Sequence, residues 1–272
     1  MAVKEFATSA RVAGWLLIAL LAGAAAGDPR LEFSVHEGLN TNAFVREGDV
    51  AAHLVLRSGT DPRLLIAFPA GNSGVAVWFE HQSRPVTWQL LTSPTPTHGR
   101  DGRGRALTGI VAEASLDAAD VEIRHAALSS VRVLRDYEQL RRLPRELEAP
   151  LVTKGETLTW SRDRLDGAAG YRLVLEITRG QIEGNHLRAD ADGQLRLRIT
   201  GLTGEPPLSP LAGEALLNGK AAADPRARET LSFLAYREKL LAGSWRFNTY
   251  FGRDTLVSVR LLLPALAAAA TE

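Results

Sequence analysis

The chain has 272 residues, 45% of them hydrophobic and 23% charged, with 32 Lys and Arg against 31 Asp and Glu. That is ordinary globular composition with apolar content for one large or two modest cores, and near-neutrality excludes a global field that would gather nucleic acid or anionic lipid. Cysteine is missing altogether, which excludes disulfides, thiolate catalysis, zinc–cysteine sites and a lipid anchor on cysteine.

The first segment reads as a targeting signal. Lys4 and Arg11 form a basic start, residues 12–21 are mostly apolar, and Ala24, Ala25 and Ala26 supply small residues before Gly27-Asp28-Pro29. This is the secretory pattern, so residues 1–26 are expected to be removed on export. A membrane anchor is the competing reading, but the strongly apolar part is shorter than the roughly 20 residues that span a bilayer. Removal takes away Lys4, Arg11 and Glu5, which leaves the mature chain formally neutral. Export without disulfides makes a periplasmic or secreted location the expectation.

From residue 28 to residue 219 the texture is one of strands and turns. Residues 64–68 and 75–79 are continuous apolar runs joined by Pro69-Ala70-Gly71-Asn72-Ser73-Gly74, which predicts a hairpin buried on both faces. Tyr171-Arg172-Leu173-Val174-Leu175-Glu176-Ile177, with Asp166-Gly167 before it and Gly180 after it, predicts a half-buried strand. Gln194-Leu195-Arg196-Leu197-Arg198-Ile199-Thr200 alternates strictly, with Leu195, Leu197 and Ile199 on one face. Many short strands with frequent turn signals predict a β-sandwich. Residues 132–148 read as a solvated charged segment, a short helix or a connector. Gly99-Arg100-Asp101-Gly102-Arg103-Gly104-Arg105 reads as a mobile loop, since it lacks aromatics to stack bases.

Pro206, Pro207 and Pro210 make a stiff passage suited to a boundary, and residues 220–272 then read as helical. Asp224 is placed to cap a helix with Pro225 in its first position and Gly243 to end it, with Leu231, Leu234, Ala235 and Leu241 as a rough apolar face. A second helix is expected from near Thr255, apolar nearly all round through Leu256, Val257, Val259, Leu261, Leu262 and Leu263, and ended or kinked by Pro264.

Between those helices lies the most distinctive stretch. Trp245, Phe247, Tyr250 and Phe251 fall within seven positions, beside Gly252-Arg253-Asp254-Thr255. Phe247 and Phe251 have a structural reading as filling at a helix junction. Trp245 and Tyr250 present faces on which pyranose rings stack. Asp254 suits the N-cap of the following helix as well as ligand contact, and the two roles are compatible. Arg253 is either a surface charge or, beside Asp254, a planar donor fork next to an acceptor, suited to vicinal hydroxyls.

Gly243-Ser244-Trp245 followed by Phe251-Gly252-Arg253-Asp254-Thr255 resembles the entrance to the catalytic barrel of glycogen-debranching (amylo-α-1,6-glucosidase) and glucoamylase-like six-hairpin glycosidases. The detailed match covers about residues 236–263. The resemblance implies a mainly β fold here, an N-terminal β-sandwich at 28–219, followed by the first helices of an incomplete α/α barrel at 220–272. It also implies a glycoside hydrolase of carbohydrate metabolism, acting on α-glucosidic bonds of glycogen-like or malto-oligosaccharide substrates, with no cofactor and no metal. In that family the Arg-Asp pair holds hydroxyls of the terminal glucose, which assigns Arg253 and Asp254 that role, with Trp245 and Tyr250 shaping the pocket. Twelve barrel helices of about 11 residues each need well over a hundred residues, far more than follow this motif. Inverting glycosidases need an acid and a base roughly 6.5–9.5 Å apart. The only acidic residue after Thr255 is Glu272, so no catalytic residue is assigned and the chain by itself is expected to be inactive. Two rivals remain: a noncatalytic carbohydrate-binding sandwich and a structural periplasmic sandwich without a sugar site.

The remaining signals have plain readings. Asp190-Ala191-Asp192-Gly193 lacks the further ligands of a calcium loop and reads as a β-turn. His36, His53, His81, His98, His125 and His186 show no paired metal-ligand spacing and read as structural or solvated.

Overall fold

In a computed structural model the apolar runs and alternations of the first two hundred residues become two antiparallel sheets facing each other across one core. The structure describes residues 30–211, 213–241, 243 and 252–270. The chain opens with a meander of β1 (Leu31–Glu37), β2 (Asn40–Glu47), β3 (Val50–Arg57), β4 (Arg63–Phe68) and β5 (Ser73–Phe79). β2 and β3 join through a two-residue turn in which Gly48 has φ 58°, a conformation that costs a side-chain-bearing residue free energy. β6 (Trp88–Leu90), β7 (Thr95–Arg100), β8 (Ala106–Asp117) and β9 (Asp120–Ser130) follow. After the helix α1 (Val131–Leu140) come β10 (Leu151–Lys154), β11 (Thr157–Arg162), β12 (Tyr171–Arg179), β13 (Gln181–Glu183), β14 (His186–Arg188) and β15 (Gln194–Thr203).

The first sheet has the order β1-β2-β3-β4-β5-β9-β14-β13, and the second β10-β11-β12-β15-β8-β6 with β7 also paired to β8. The consecutive strands β8 and β9 therefore lie in different sheets, and the turn between them carries the chain across the sandwich. The core is built where alternation predicts. Leu195, Leu197 and Ile199 of β15 and Leu173, Leu175 and Ile177 of β12 meet Leu54, Leu56, Leu64, Ile66, Val75 and Val77 of the opposite sheet. The expected β4–β5 hairpin is buried on both faces, because its other side is also covered.

That cover comes from two sources. Val131, Leu134 and Tyr137 of α1, spaced one helical turn apart, seal Val55, Leu65, Ala67, Ala76, Trp78 and Ala127. The charged segment expected between 132 and 148 is thus, as far as Leu140, a helix solvated on one side only, followed by irregular chain with a 3-10 turn at Arg145–Leu147. Ser130 caps it by accepting from Val133 N–H at 3.4 Å. Residues 99–105 also differ from expectation: they form the tip of the β7–β8 hairpin, where Asp101 accepts the backbone N–H groups of Arg103 and Arg105 at 2.9 Å each.

The helices after the prolines are α2 (Gly213–Leu216), α3 (Pro225–Leu234) and α4 (Gly252–Leu262). α3 starts as the sequence predicts, with Pro225 in the first position and Asp224 accepting from Arg226 N–H at 3.1 Å. It ends at Leu234 rather than near Gly243, since residues 235–240 fold back as a tight turn, with Tyr236 N–H donating to Lys239 O at 3.1 Å and an Ala235–Leu240 bridge. α3 docks on the rest of the first sheet's outer face. Phe233 stands edge-on to Phe44 at 5.0 Å and Phe33 at 6.4 Å, and the Arg46 guanidinium donates to Ser232 O at the helix's C-terminal end. α4 gives way at Leu262 to a 3-10 turn containing Pro264, as expected. Val259 and Leu262 pack towards the small cluster of Leu216, Ala235 and Leu266, while Leu256, Val257 and Leu261 are 65%, 53% and 76% exposed. No described helix is long and apolar enough to cross a membrane.

Candidate functional site

The predicted motif leads into a cleft of about 400 Å³ between the turn at 236–240 and α4, lined by Tyr236, Glu238, Lys239, Leu240, Thr255 and Val259 among others. Thr255 is buried and its hydroxyl donates to Leu240 O at 3.3 Å, which joins the first turns of α4 to the cleft floor. Glu238 anchors the rim. Both its carboxylate oxygens accept from Ser209 N–H at 3.0 Å, and although partial burial pushes its pKa up, these hydrogen bonds outweigh that and hold it below the usual carboxylate value. Arg237 N–H returns a bond to Ser209 O at 2.8 Å, so the proline-rich passage and the turn form a short antiparallel pair.

Lys239 ties this turn to the sandwich. Its ammonium donates to Pro69 O at 2.9 Å and Asn72 Oδ1 at 2.7 Å, in the β4–β5 turn, and burial lowers its pKa against the raising influence of Glu238 and Glu205. Glu205 braces the same turn from the other side. Its carboxylate accepts from Tyr171 O–H at 2.8 Å and Arg164 Nη1 at 2.7 Å, and burial followed by this hydrogen bond raises the Tyr171 pKa. Gly71 lies beside it at φ 62°, and a Cβ there would sit 2.2 Å from the Glu205 carboxyl carbon, so a larger residue would have to displace that carboxylate. The result is a rigid polar junction between the end of the sandwich and the helical segment. It contains a cation, two carboxylates and hydroxyls, each engaged in the hydrogen bonds just described.

Of the residues singled out by sequence, Trp245 and Tyr250 lie outside the described residues, as do Phe247, Phe251 and Glu272, and so does the expected signal segment 1–26. Arg253 and Asp254 belong to α4, and their side chains lie outside the described part of the structure. Asp254 lies within α4 as described, Gly252–Leu262, and so is not its N-cap. A carboxylate in the first turn is still favoured by the helix dipole. Compared with known families, curated proteins and solved structures, the chain matches no family model, no curated protein and no solved structure.

Among the described residues no group of three or more acidic or histidine side chains could hold a metal ion. The histidines sit singly: His81 on Asp61, His98 on Asp49, His186 between Asp120 and Glu122, and His125 stacked 4.7 Å from Tyr137. Asp190 and Asp192 form the expected turn, closed by Gly193 N–H to Asp190 O at 2.9 Å, and both pair with Arg179. The junction residues Glu205, Glu238 and Lys239 were missed by sequence reasoning. The local signal of Glu238 and Lys239 was a charged triplet Arg237-Glu238-Lys239 set between apolar segments, and the Lys239 partners Pro69 and Asn72 are far away in sequence.

Proposed function

We propose that this chain is the N-terminal part of an exported glycoside hydrolase acting on α-glucosidic bonds of glycogen-like or malto-oligosaccharide substrates. Arg253 and Asp254 hold hydroxyls of the terminal glucose, and Trp245 and Tyr250 supply the stacking walls. The observation that supports this reading best is the setting of α4. Its first turn carries Arg253 and Asp254 and leads to the wall of the cleft at Thr255, and the same helix leaves Leu256, Val257 and Leu261 exposed, the kind of surface that further helices of an α/α barrel would cover. The order of sandwich then helices agrees with it. No acid or base is assigned among the residues of this chain, so its own contribution is to bind and orient the sugar; no step requires a cofactor.

Calorimetric titration of the purified chain with maltotriose tests the reading. Saturable binding is expected, weakened about 10-fold or more by Arg253→Ala and by Trp245→Ala, as for loss of a charged hydrogen bond or a stacking face. No binding, or binding unchanged in both variants, overturns it. Release of glucose by this chain would show instead that it contains its own acid and base.

A further inference from the structure

Lys239 and Asn72 stand 167 positions apart in the chain, yet the lysine Nζ lies 2.7 Å from Asn72 Oδ1. Both backbones are fixed. Asn72 N–H donates to Pro69 O at 3.2 Å, and the next residue is held twice, Ser73 Oγ donating to Ala70 O at 2.9 Å and lying 3.1 Å from Thr203 Oγ1. On the other side Tyr236 N–H donates to Lys239 O at 3.1 Å, Lys239 N–H donates to Tyr236 O at 3.3 Å, and Arg237 N–H donates to Ser209 O. Pro69 O, which accepts from Asn72 N–H, also accepts from Lys239 Nζ at 2.9 Å, so one carbonyl sets both groups in place.

An amine and a carboxamide held in contact by two closed turns are the reactants of an amide exchange. Reactants fixed in near-attack positions reach effective molarities of roughly 10⁵–10⁸ M, which brings reactions that are negligible between free molecules within reach. Burial lowers the Lys239 pKa and so leaves more of the amine unprotonated and nucleophilic than on an exposed lysine. The position has a structural use as well. A bond closing a loop of this length would restrict the unfolded chain as a disulfide does, and the chain has no cysteine with which to make one.

We propose that Lys239 and Asn72 join in an intramolecular isopeptide bond, which staples the turn at 235–240 to the β4–β5 turn. Nζ bonds to Asn72 Cγ, the Cγ–Nδ2 bond breaks, and one Nζ proton passes to Nδ2, which leaves as ammonia. No oxidant, cofactor or second substrate enters the reaction. The bond is independent of the sugar reading, since it involves neither α4 nor the aromatic segment before it.

The test is the intact mass of the purified full chain, measured after denaturation, before and after days of folded incubation at about pH 9, where more of the amine is unprotonated than at neutrality. A product about 17 Da lighter than the unmodified sequence, the mass of one ammonia, is expected. Tryptic digestion should then give one branched peptide joining the Asn72 and Lys239 segments, with no cleavage after Lys239. Lys239→Arg, which keeps the cation but is not nucleophilic, and Asn72→Ala, which removes the carboxamide, should both retain full mass. The wild-type chain incubated in urea should retain it too, because the contact is then lost; this control holds even if a variant folds poorly. An unchanged mass in the folded wild-type chain, a gain of about 1 Da from deamidation of Asn72 instead, or the same deficit in Lys239→Arg or in urea overturns the proposal.

Discussion

His53 gives this protein one well-defined source of acid sensitivity. It lies on the outer face of β3, fully buried, stacked 3.9 Å from Phe44 beneath the patch on which Phe233 docks α3. Asn42 fixes its tautomer. The Asn42 amide donates to Val35 O at 3.2 Å, which turns its Oδ1 towards His53 Nε2 at 3.0 Å, so Nε2 carries the proton and Nδ1 does not. Nδ1 is buried without a partner, and a second proton would have to be placed there. Burial accordingly lowers the imidazole pKa from 6.5 to about 3. The unfolded chain therefore takes up this proton as pH falls through about 6.5, while the folded chain refuses it until about 3. Stability should fall with acidification across that window by about 1.4 kcal/mol per pH unit, or about 3 kcal/mol between pH 6.5 and pH 4. Urea unfolding monitored by tryptophan fluorescence at several pH values measures this, and His53→Gln supplies the subtraction. The variant is expected to be less stable at pH 7 and to lose about 3 kcal/mol less than the wild type between pH 6.5 and pH 4. Parallel losses in both proteins would refute the reasoning and move the acid sensitivity to the surface carboxylates.

Two further outcomes concern the junction and the helix dock. Gly71→Ala should destabilise by about 2–4 kcal/mol in urea, because the residue must keep φ 62° and its Cβ would displace Glu205 from Tyr171 and Arg164; a loss under 1 kcal/mol would show that the carboxylate moves aside without cost. Phe233→Ala removes the ring packed edge-on against Phe33 and Phe44, worth about 3 kcal/mol. Faster hydrogen exchange should then appear in α3 while the β8–β15 amides keep their protection, and uniform loss across the sandwich would contradict a local dock.

Elements defined by short-range pattern were legible in the sequence. The alternation of β15 and the double-sided burial of β4 and β5 follow from period and composition, and the Asp224-Pro225 start of α3 follows from capping chemistry. What escaped depends on partners far along the chain. The three residues by which α1 docks, Val131, Leu134 and Tyr137, are interspersed with four charged ones, and only the uncovered face of the β4–β5 region gives them a purpose. The crossing of β8 to β9 between sheets leaves no trace, because both strands alternate alike. Gly243 looked like a helix end, yet the backward turn at 235–240 is stabilised by Ser209 and Pro210 from before α3. Of the candidate sugar site, the helix bearing Arg253 and Asp254 was legible from its apolar run, and the Lys239–Glu205 junction beside it was not, since its bonds to Pro69, Asn72 and Tyr171 span long stretches of sequence.

The most direct measurement is a crystal structure of the chain soaked with maltotriose. A glucose ring within hydrogen-bond reach of Arg253 and Asp254, flanked by Trp245 or Tyr250, is the predicted result. Those side chains directed into solvent with no sugar between them, or a sugar seated elsewhere on the sandwich, would contradict the account.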